Sequence, residues 1–318
     1  MHKQVLLIGG ARDPHIIAVA DQIIAKGSRP HVLDRTTPTN CFITLTINKG
    51  YPSGLLESGG ECVDLSTIYS VWWRSKPFLQ GEINLMFDDP YQAFSYKEWR
   101  SALYALPVFT PLAKWINPIR AQDQANSKPF QLMIAARHGF QVPPTLFTNN
   151  AYAVISASLL PNTIIYKPHN FFIFPPDHVI FTSETQKSDV RAAVESVAIA
   201  PGIYQPLVEK SYELRITAIG EHIFAARVNS QEKESTRVDW RQGQYNEMFD
   251  PIELEPEIEA KLLRMQQELG LSFGVYDFIV DADGGMWFLE VNPAGQYLWL
   301  EERLGLPISN ALATELLR

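Results

Sequence analysis

The chain has 318 residues, 46% hydrophobic and 19% charged, enough to bury a large core divided among two or three compact units. Its 35 acidic residues outnumber 27 basic ones, and the net charge of −8 excludes a general nucleic-acid binder while leaving room for a local basic pocket for phosphates. No apolar run reaches bilayer length, and Cys41 and Cys62 stand without a CxxC partner, so no membrane span, disulfide framework or structural zinc site is indicated.

The N-terminus, MHKQVLLIGG, passes directly into a short strand and has too brief an apolar stretch for a signal peptide, so a cytoplasmic location is expected. A small α/β unit follows, with a buried strand at residues 5–8, a helix at 15–26 and a second strand at 30–33 ending at Asp34. Gly9-Gly10 is followed by Ala-Arg-Asp-Pro rather than a GxGxxG fingerprint, and reads as a plain strand-to-helix turn. The next buried strand, Ile68–Trp73, runs into Arg74-Ser75-Lys76-Pro77, which places Arg74 to face a cleft. A helix is expected at 95–106, and Pro107, Pro111 and Pro118 mark a domain boundary.

The second unit opens with Ser127 as a helix N-cap and Pro129 in the first turn, and its helix ends at Gly139. The extended connector VPPTLFT, a strand at Thr163–Lys167, its return at 179–182 and a helix at 189–198 complete it. The third unit comprises a strand at 203–208, strands at 213–219 and 222–228 around Gly220-Glu221, a helix at 257–269, a hairpin and a terminal helix at 309–317. The expected division is 1–117, 118–200 and 201–318, α/β at the N-terminus and α+β beyond it, without internal repeats.

The hairpin carries the densest chemical signal. Asp283-Gly284 reads as a two-residue turn, because both central positions of that turn require positive φ. Counting outwards, Asp277 faces Glu290, and Asn292 follows on the same face. Two facing carboxylates repel, and Trp287, Phe288, Leu289 and Val291 encase Glu290 where unpaired charge is expensive. A Mg²⁺ ion resolves the conflict, since it takes one or two carboxylates and shares its other positions with water and substrate phosphates.

Lys167 ends an apolar strand before Pro168 and suits a phosphate oxygen, with Lys128 as a second candidate. In Tyr204-Gln205-Pro206-Leu207-Val208-Glu209, Pro206 leaves a backbone group outside the ladder, and such an exposed edge suits the main-chain hydrogen bonds and apolar packing that an adenine ring needs. Glu213 and Arg215 lie on one strand face, and the Arg215 fork matches phosphate or carboxylate. Arg227, with Asp239, Trp240 and Arg241 beyond it, adds cations and an aromatic wall. Taken singly, these groups are ordinary strand-end lysines and structural ion pairs; in this order they form a clamp for a metal-bound nucleoside triphosphate.

Lys128, Lys167, YQPLVEKSYELRI, AARVNSQ, DWR, GVYDFIV and FLEVNPAGQYLWLEERLGLPI together resemble the ATP-grasp ligases, and within them the graspetide, or microviridin-type, ligases that macrocyclise ribosomal precursor peptides. The likeness covers residues 126–318, and more loosely VWWRSKP; KPHNFFIFPPDHVIFTSE lacks the glycine-rich phosphate loop of many ATP-grasp enzymes, as this subgroup does. The resemblance implies an ATP-grasp fold behind an N-terminal α/β domain, with ATP and Mg²⁺ as cofactors. Lys128 and Lys167 would contact ATP phosphates, Gln205, Leu207 and Val208 would form the adenine hinge, and Glu213 would lie near ribose and phosphates. Asp277, Glu290 and Asn292 would hold Mg²⁺. Arg215 would neutralise the γ-phosphate and the acyl phosphate, while Arg227, Asp239, Trp240 and Arg241 would line the acceptor side. The implied activity forms ADP and phosphate while joining Asp or Glu side chains to Ser or Thr hydroxyls or Lys amines. The implied partner is a precursor peptide with leader and core, and a homodimer is compatible with the sequence. A ligase adding amino acids to a small carboxylate or protein tail, and a non-catalytic nucleotide- or peptide-binding regulator, are the other readings.

Overall fold

The computed structural model describes residues 2–34, 41–74, 90–169, 173–174, 178–243 and 248–318. Ser75, Lys76 and Pro77 of the expected cleft motif lie outside these residues, as does part of the segment following Lys167.

The N-terminal part contains β1 (Gln4–Gly9), β2 (Arg29–Asp34), β3 (Cys41–Asn48), β4 (Tyr51–Ser58), β5 (Glu61–Asp64), β6 (Ile68–Trp73) and β7 (Lys114–Ile116). Strands β2-β1-β6-β7 form a parallel sheet, and β3-β4-β5 form an antiparallel meander that had no counterpart in the sequence reading. Alternation along β1 explains its unbroken apolar run. Leu6 and Ile8 face a core with Trp73, Leu106 and the meander's Leu56, while Val5 and Leu7 face Leu312 and Leu316 of the C-terminal helix Ile308–Leu317. Arg74, expected at a cleft, is buried with its Nε donating to Asp13 at 2.6 Å. Pro107 lies inside the helix Pro90–Phe109, so the proline marks no boundary there.

The middle part contains β8 (Leu146–Thr148), β9 (Thr163–Lys167), β10 (Ile173–Phe174), β11 (His178–Val179), β12 (Ser183–Gln186) and β13 (Gly202–Pro206). The antiparallel order is β12-β9-β13-β8, over a small core of Val154, Leu160, Ile164, Val190 and Tyr204. The return strand beside β9 is therefore β12; residues 178–179 pair with β10 instead. The helix expected at 189–198 is two short helices, Lys187–Ala192 and Val194–Ile199.

The C-terminal sheet has the order β16-β15-β14-β17-β18, from β14 (Tyr212–Ile219), β15 (His222–Val228), β16 (Phe249–Ile252), β17 (Phe273–Val280) and β18 (Met286–Asn292), all antiparallel. One face is apolar at its centre: Leu214, Ile216, Tyr276 and Phe278 pack on Leu262 and Met265 of the helix Pro256–Glu268 and on Ile134 and Ala135 of the helix Lys128–Arg137. The opposite face is split. Its far end, with Ile219, Phe273 and Val275, joins the core shared with the N-terminal domain, and its near end carries Glu213, Arg215 and Asp277. The units interlock more than the expected division anticipates, since β13 is an inner strand of the small sheet and the helix Lys128–Arg137 belongs to the large sheet's core.

The hairpin joining β17 to β18 reaches the expected pairing by another route. Asp277 is opposite Glu290, as the turn argument required, but Phe278 pairs with Phe288 and Val280 with Met286. The connection is the five-residue loop Asp281–Gly285, because the Asp281 carboxylate accepts from the N–H groups of Asp283 (3.0 Å) and Gly285 (2.7 Å) and from Trp287 Nε1 (2.8 Å). Within it only Gly284 has positive φ, and a Cβ at Gly285 would strike the Asp281 carboxylate. A bulge at Leu289 then restores the register that faces Asp277 with Glu290.

Gln131 fastens the helix Lys128–Arg137 to β18. Its amide donates to Val291 O at 2.8 Å and accepts from Val291 N at 3.1 Å, taking the place of a neighbouring strand along this sheet edge. The Gln131→Leu substitution leaves that buried N–H and C=O without partners, at a cost on the order of 3 kcal/mol. The urea midpoint should fall with an unchanged denaturant slope; an unshifted midpoint would show that this amide is not a fastening.

Candidate active site

The charged end of the large sheet faces the tip of the small one. Lys128 begins its helix and places its ammonium on the Glu290 carboxylate. Arg215, directly across the ladder from Asp277, donates from Nη1 to both carboxylate oxygens at 2.8 Å and from Nη2 to the Gln296 carbonyl at 3.0 Å. Asn292 Nδ2 donates to Glu290 at 3.2 Å. The buried Glu213 pairs with Lys210 at 2.6 Å, and the buried Asp239 holds Arg241 through two hydrogen bonds of 2.8 and 2.6 Å.

These environments separate the carboxyls. Burial pushes Asp277 above the usual carboxylate range, against the pull of Arg215 and with the help of Glu290. Glu290 goes the other way: burial would raise it, but the Lys128 ammonium, followed by Arg241, holds it well below that range. Glu213 is raised by burial despite Lys210. Lys167 is lowered to about 8, first by burial and then by Lys128, with Glu290 and Glu213 opposing. Lys167, at the end of β9, thus shares one electrostatic environment with residues of the other sheet.

Most of the expected set therefore converges: Lys128, Lys167, Glu213, Arg215, Asp239, Arg241, Asp277, Glu290 and Asn292. Gln205 is buried with its amide donating to Thr145 at 2.9 Å, and Leu207, exposed beyond the end of β13, begins the connection to the large sheet together with Val208. Arg227 does not converge. It alternates to the opposite face of the sheet from Arg215, is exposed, lies over the Tyr212 ring and donates to Asn229 at 2.8 Å, so its placement on the acceptor side is corrected. Trp240 is core, packed against Phe249 and Trp299. Sequence reading missed Lys210, an unremarkable charge in the turn before β14, and His15, whose Nε2 accepts from the Tyr297 and Leu298 N–H groups and so holds the turn that presents the Gln296 carbonyl to Arg215.

Residues 4–123 match the family model described as the MvdD pre-ATP grasp domain. No curated protein matches the chain. Among solved structures, the chain is similar to a Chryseobacterium gregarium RiPP-associated ATP-grasp ligase in complex with ADP and a leader and core peptide, at 25% identity and a TM-score of 0.86, covering 99% of this chain and 96% of that one. It is also similar to the macrocyclase MdnC bound with precursor peptide MdnA from Microcystis aeruginosa, at 29% identity and a TM-score of 0.81 over 99% of both chains. The chain has the ATP-grasp fold and is an ATP-dependent ligase. The ligase also shares its fold with PsnB, whose structure was determined with a precursor variant, Mg and ADP, at 23% identity and a TM-score of 0.77 over 98% of this chain and 97% of that one.

The donor set suits Mg²⁺ bound together with phosphates. Two carboxylates and an amide lie at one sheet end, and water and nucleotide phosphates would fill the other positions around the ion. None of the described helices is long and apolar enough to cross a membrane.

A contact between Lys167 and a nucleotide phosphate would make nucleotide affinity sensitive to pH. The Lys167 ammonium is present below about pH 8 and is lost above it, so with such a contact the dissociation constant for ADP should rise by up to about tenfold per pH unit from pH 8 upwards, and Lys167→Arg should flatten the profile. For stability the sign is opposite: the charged form penalises the fold below about pH 8, and the penalty fades as pH climbs towards the ordinary lysine value. Calorimetric titrations with ADP between pH 7 and 9.5 test this, and a wild-type profile that is flat to pH 9.5 would exclude a Lys167–phosphate contact.

Proposed function

We propose that this ligase activates Asp or Glu side chains of a ribosomal precursor peptide as acyl phosphates and joins them to Ser or Thr hydroxyls or Lys amines, closing rings. The observation that carries this reading is the pairing of two cation–carboxylate couples, Lys128–Glu290 and Arg215–Asp277, at the tip of one sheet, opposite Lys167 on the other. The peptide substrate is supported by likeness, over nearly the whole chain, to ligases solved with leader and core peptide or with precursor peptide. We place the reaction in the cytoplasm, where ATP and newly made peptide meet.

In this reading Lys128 and Lys167 bind the phosphates, and the connection after Pro206, with Gln205, Leu207 and Val208, receives the adenine. Asp277, Glu290 and Asn292 would hold Mg²⁺, which supplies charge neutralisation between phosphate oxygens. A substrate carboxylate oxygen attacks the γ-phosphorus, the bond to the β-phosphate oxygen breaks, and ADP leaves. In this reading Arg215, held by Asp277, stabilises the charge on the transferred group, and Arg241, held by Asp239, orients the peptide. The hydroxyl or amine then attacks the acyl carbon, loses its proton to solvent, and phosphate departs with one oxygen of the original carboxylate. Leader binding at a second site, favouring the closed state, would compensate for the glycine-poor segment after Lys167.

A precursor peptide labelled with heavy oxygen in its Asp and Glu side chains should deliver one labelled oxygen to inorganic phosphate for each ring closed. Arg215→Ala should slow labelling and ring formation together by about 100-fold or more. AMP as the nucleotide product, or unlabelled phosphate accompanying cyclised peptide, would refute the proposed route.

A further inference from the structure

Each carboxylate of the site already has a cation. Asp277 has Arg215, Glu213 has Lys210, Asp239 has Arg241 and Glu290 has Lys128. Lys167 brings a further positive charge, with no carboxylate within ion-pair distance among the described residues. These five cations and four carboxylates leave the basin with a net charge of about +1, unfavourable for a lone divalent cation and favourable for a triphosphate.

The four pairs are not equally accessible. Lys210–Glu213 is buried, Asp239 is buried beneath Arg241, and Arg215 is tied to a main-chain carbonyl as well as to Asp277. Lys128–Glu290 is the pair whose two side chains both keep a moderate exposure, 21% and 23%, at the mouth of the site. The backbone of Lys128 is held to β18 through Gln131, whereas its ammonium sits on a flexible four-carbon stem. One anchored arm can therefore change partners without moving the helix.

We propose that Lys128 is a place-holding counter-cation: without nucleotide its ammonium occupies Glu290, and it exchanges that carboxylate for a nucleotide phosphate, releasing Glu290 to a divalent cation that enters with the triphosphate. The inference rests on the ATP-dependent reading of this site and states how cation entry is made conditional on nucleotide. A purely structural ion pair makes a different forecast, because losing either partner would then harm the site alike.

Metal and nucleotide affinities decide the matter without peptide or turnover, so a failure here leaves the ligation reading standing. Full-length protein is titrated with Mn²⁺, and the free ion is followed by its paramagnetic resonance; separately, ADP is titrated calorimetrically with EDTA present. Lys128→Met should bind Mn²⁺ about tenfold or more tightly than wild type without nucleotide, while Lys128→Arg, which keeps the charge, should stay as weak as wild type. With EDTA present, Lys128→Met should bind ADP about tenfold more weakly, and Glu290→Gln should bind it more tightly than wild type, because Lys128 no longer has to leave a carboxylate. Equal Mn²⁺ affinity in wild type and Lys128→Met, or weakened ADP binding in Glu290→Gln, would overturn the exchange. Thermal unfolding of each variant confirms that the comparison is between folded proteins.

Discussion

Charge compensation at the tip of the large sheet is the constraint on which the rest of the structure depends. Alternation along β14 and β17 sends every second side chain to a face that is apolar at one end and ionic at the other, and the ionic end survives partial burial only because each carboxylate meets a cation. The partners come from four places in the chain: Arg215 from the same sheet, Lys210 from the turn before β14, Lys128 from a helix on the sheet's edge, and Arg241 with Asp239 from the segment between β15 and β16. Building the site therefore requires the helix, the hairpin and that segment to be fixed together. Gln131 bonding to Val291 and His15 bonding to the turn after Asn292 fix two of them.

Much of this was legible in the sequence, because the signals were strong where structure is periodic and fully covered. β6 and β9 fall on the expected residues, since short apolar runs bounded by a charge and a proline leave little room for another register. The Lys128 helix starts after Ser127 as expected, although Ser127 makes no side-chain cap. The hairpin is more instructive. The pairing of Asp277 with Glu290 is present, but the tight Asp-Gly turn that argued for it is not, because the Asp281 carboxylate gathers the loop's N–H groups into a longer connection and the bulge at Leu289 cancels the displacement. Side-chain capture of backbone groups and a one-residue bulge leave almost no periodic trace.

The meander β3-β4-β5 was illegible for another reason. Its outward face carries exposed apolar residues, Phe42 and Leu55 among them, so the hydrophobic alternation that marks a half-covered strand is blurred. Pro107 misled as a boundary because its helix simply continues through it. At the site, single residues were read by type and not by face. Arg227 was grouped with Arg215 because both are arginines on adjacent strands, yet Arg227 lies opposite Leu214, one position out of phase, and the pleat turns it away.

Ionic clusters of this kind are poor stabilisers, since desolvation consumes most of what the pairs gain. A sheet end selected for stability alone would continue the apolar pattern that Ile219, Phe273 and Val275 establish at the other end of the same face. That the pattern breaks here, in favour of charges held by main-chain carbonyls, carboxylates and one solvent-accessible lysine, indicates selection for a different task. Apart from the mobile Lys128 ammonium, the arrangement keeps its charges in place before a ligand arrives, so little reorganisation remains for the reaction. The middle sheet has a small core of its own, while the N-terminal domain shares a large one with the C-terminal sheet. The small sheet bearing Lys167 is joined to the large one through the short connection after Pro206, and its core is separate from the shared core beneath the strand that carries Asp277.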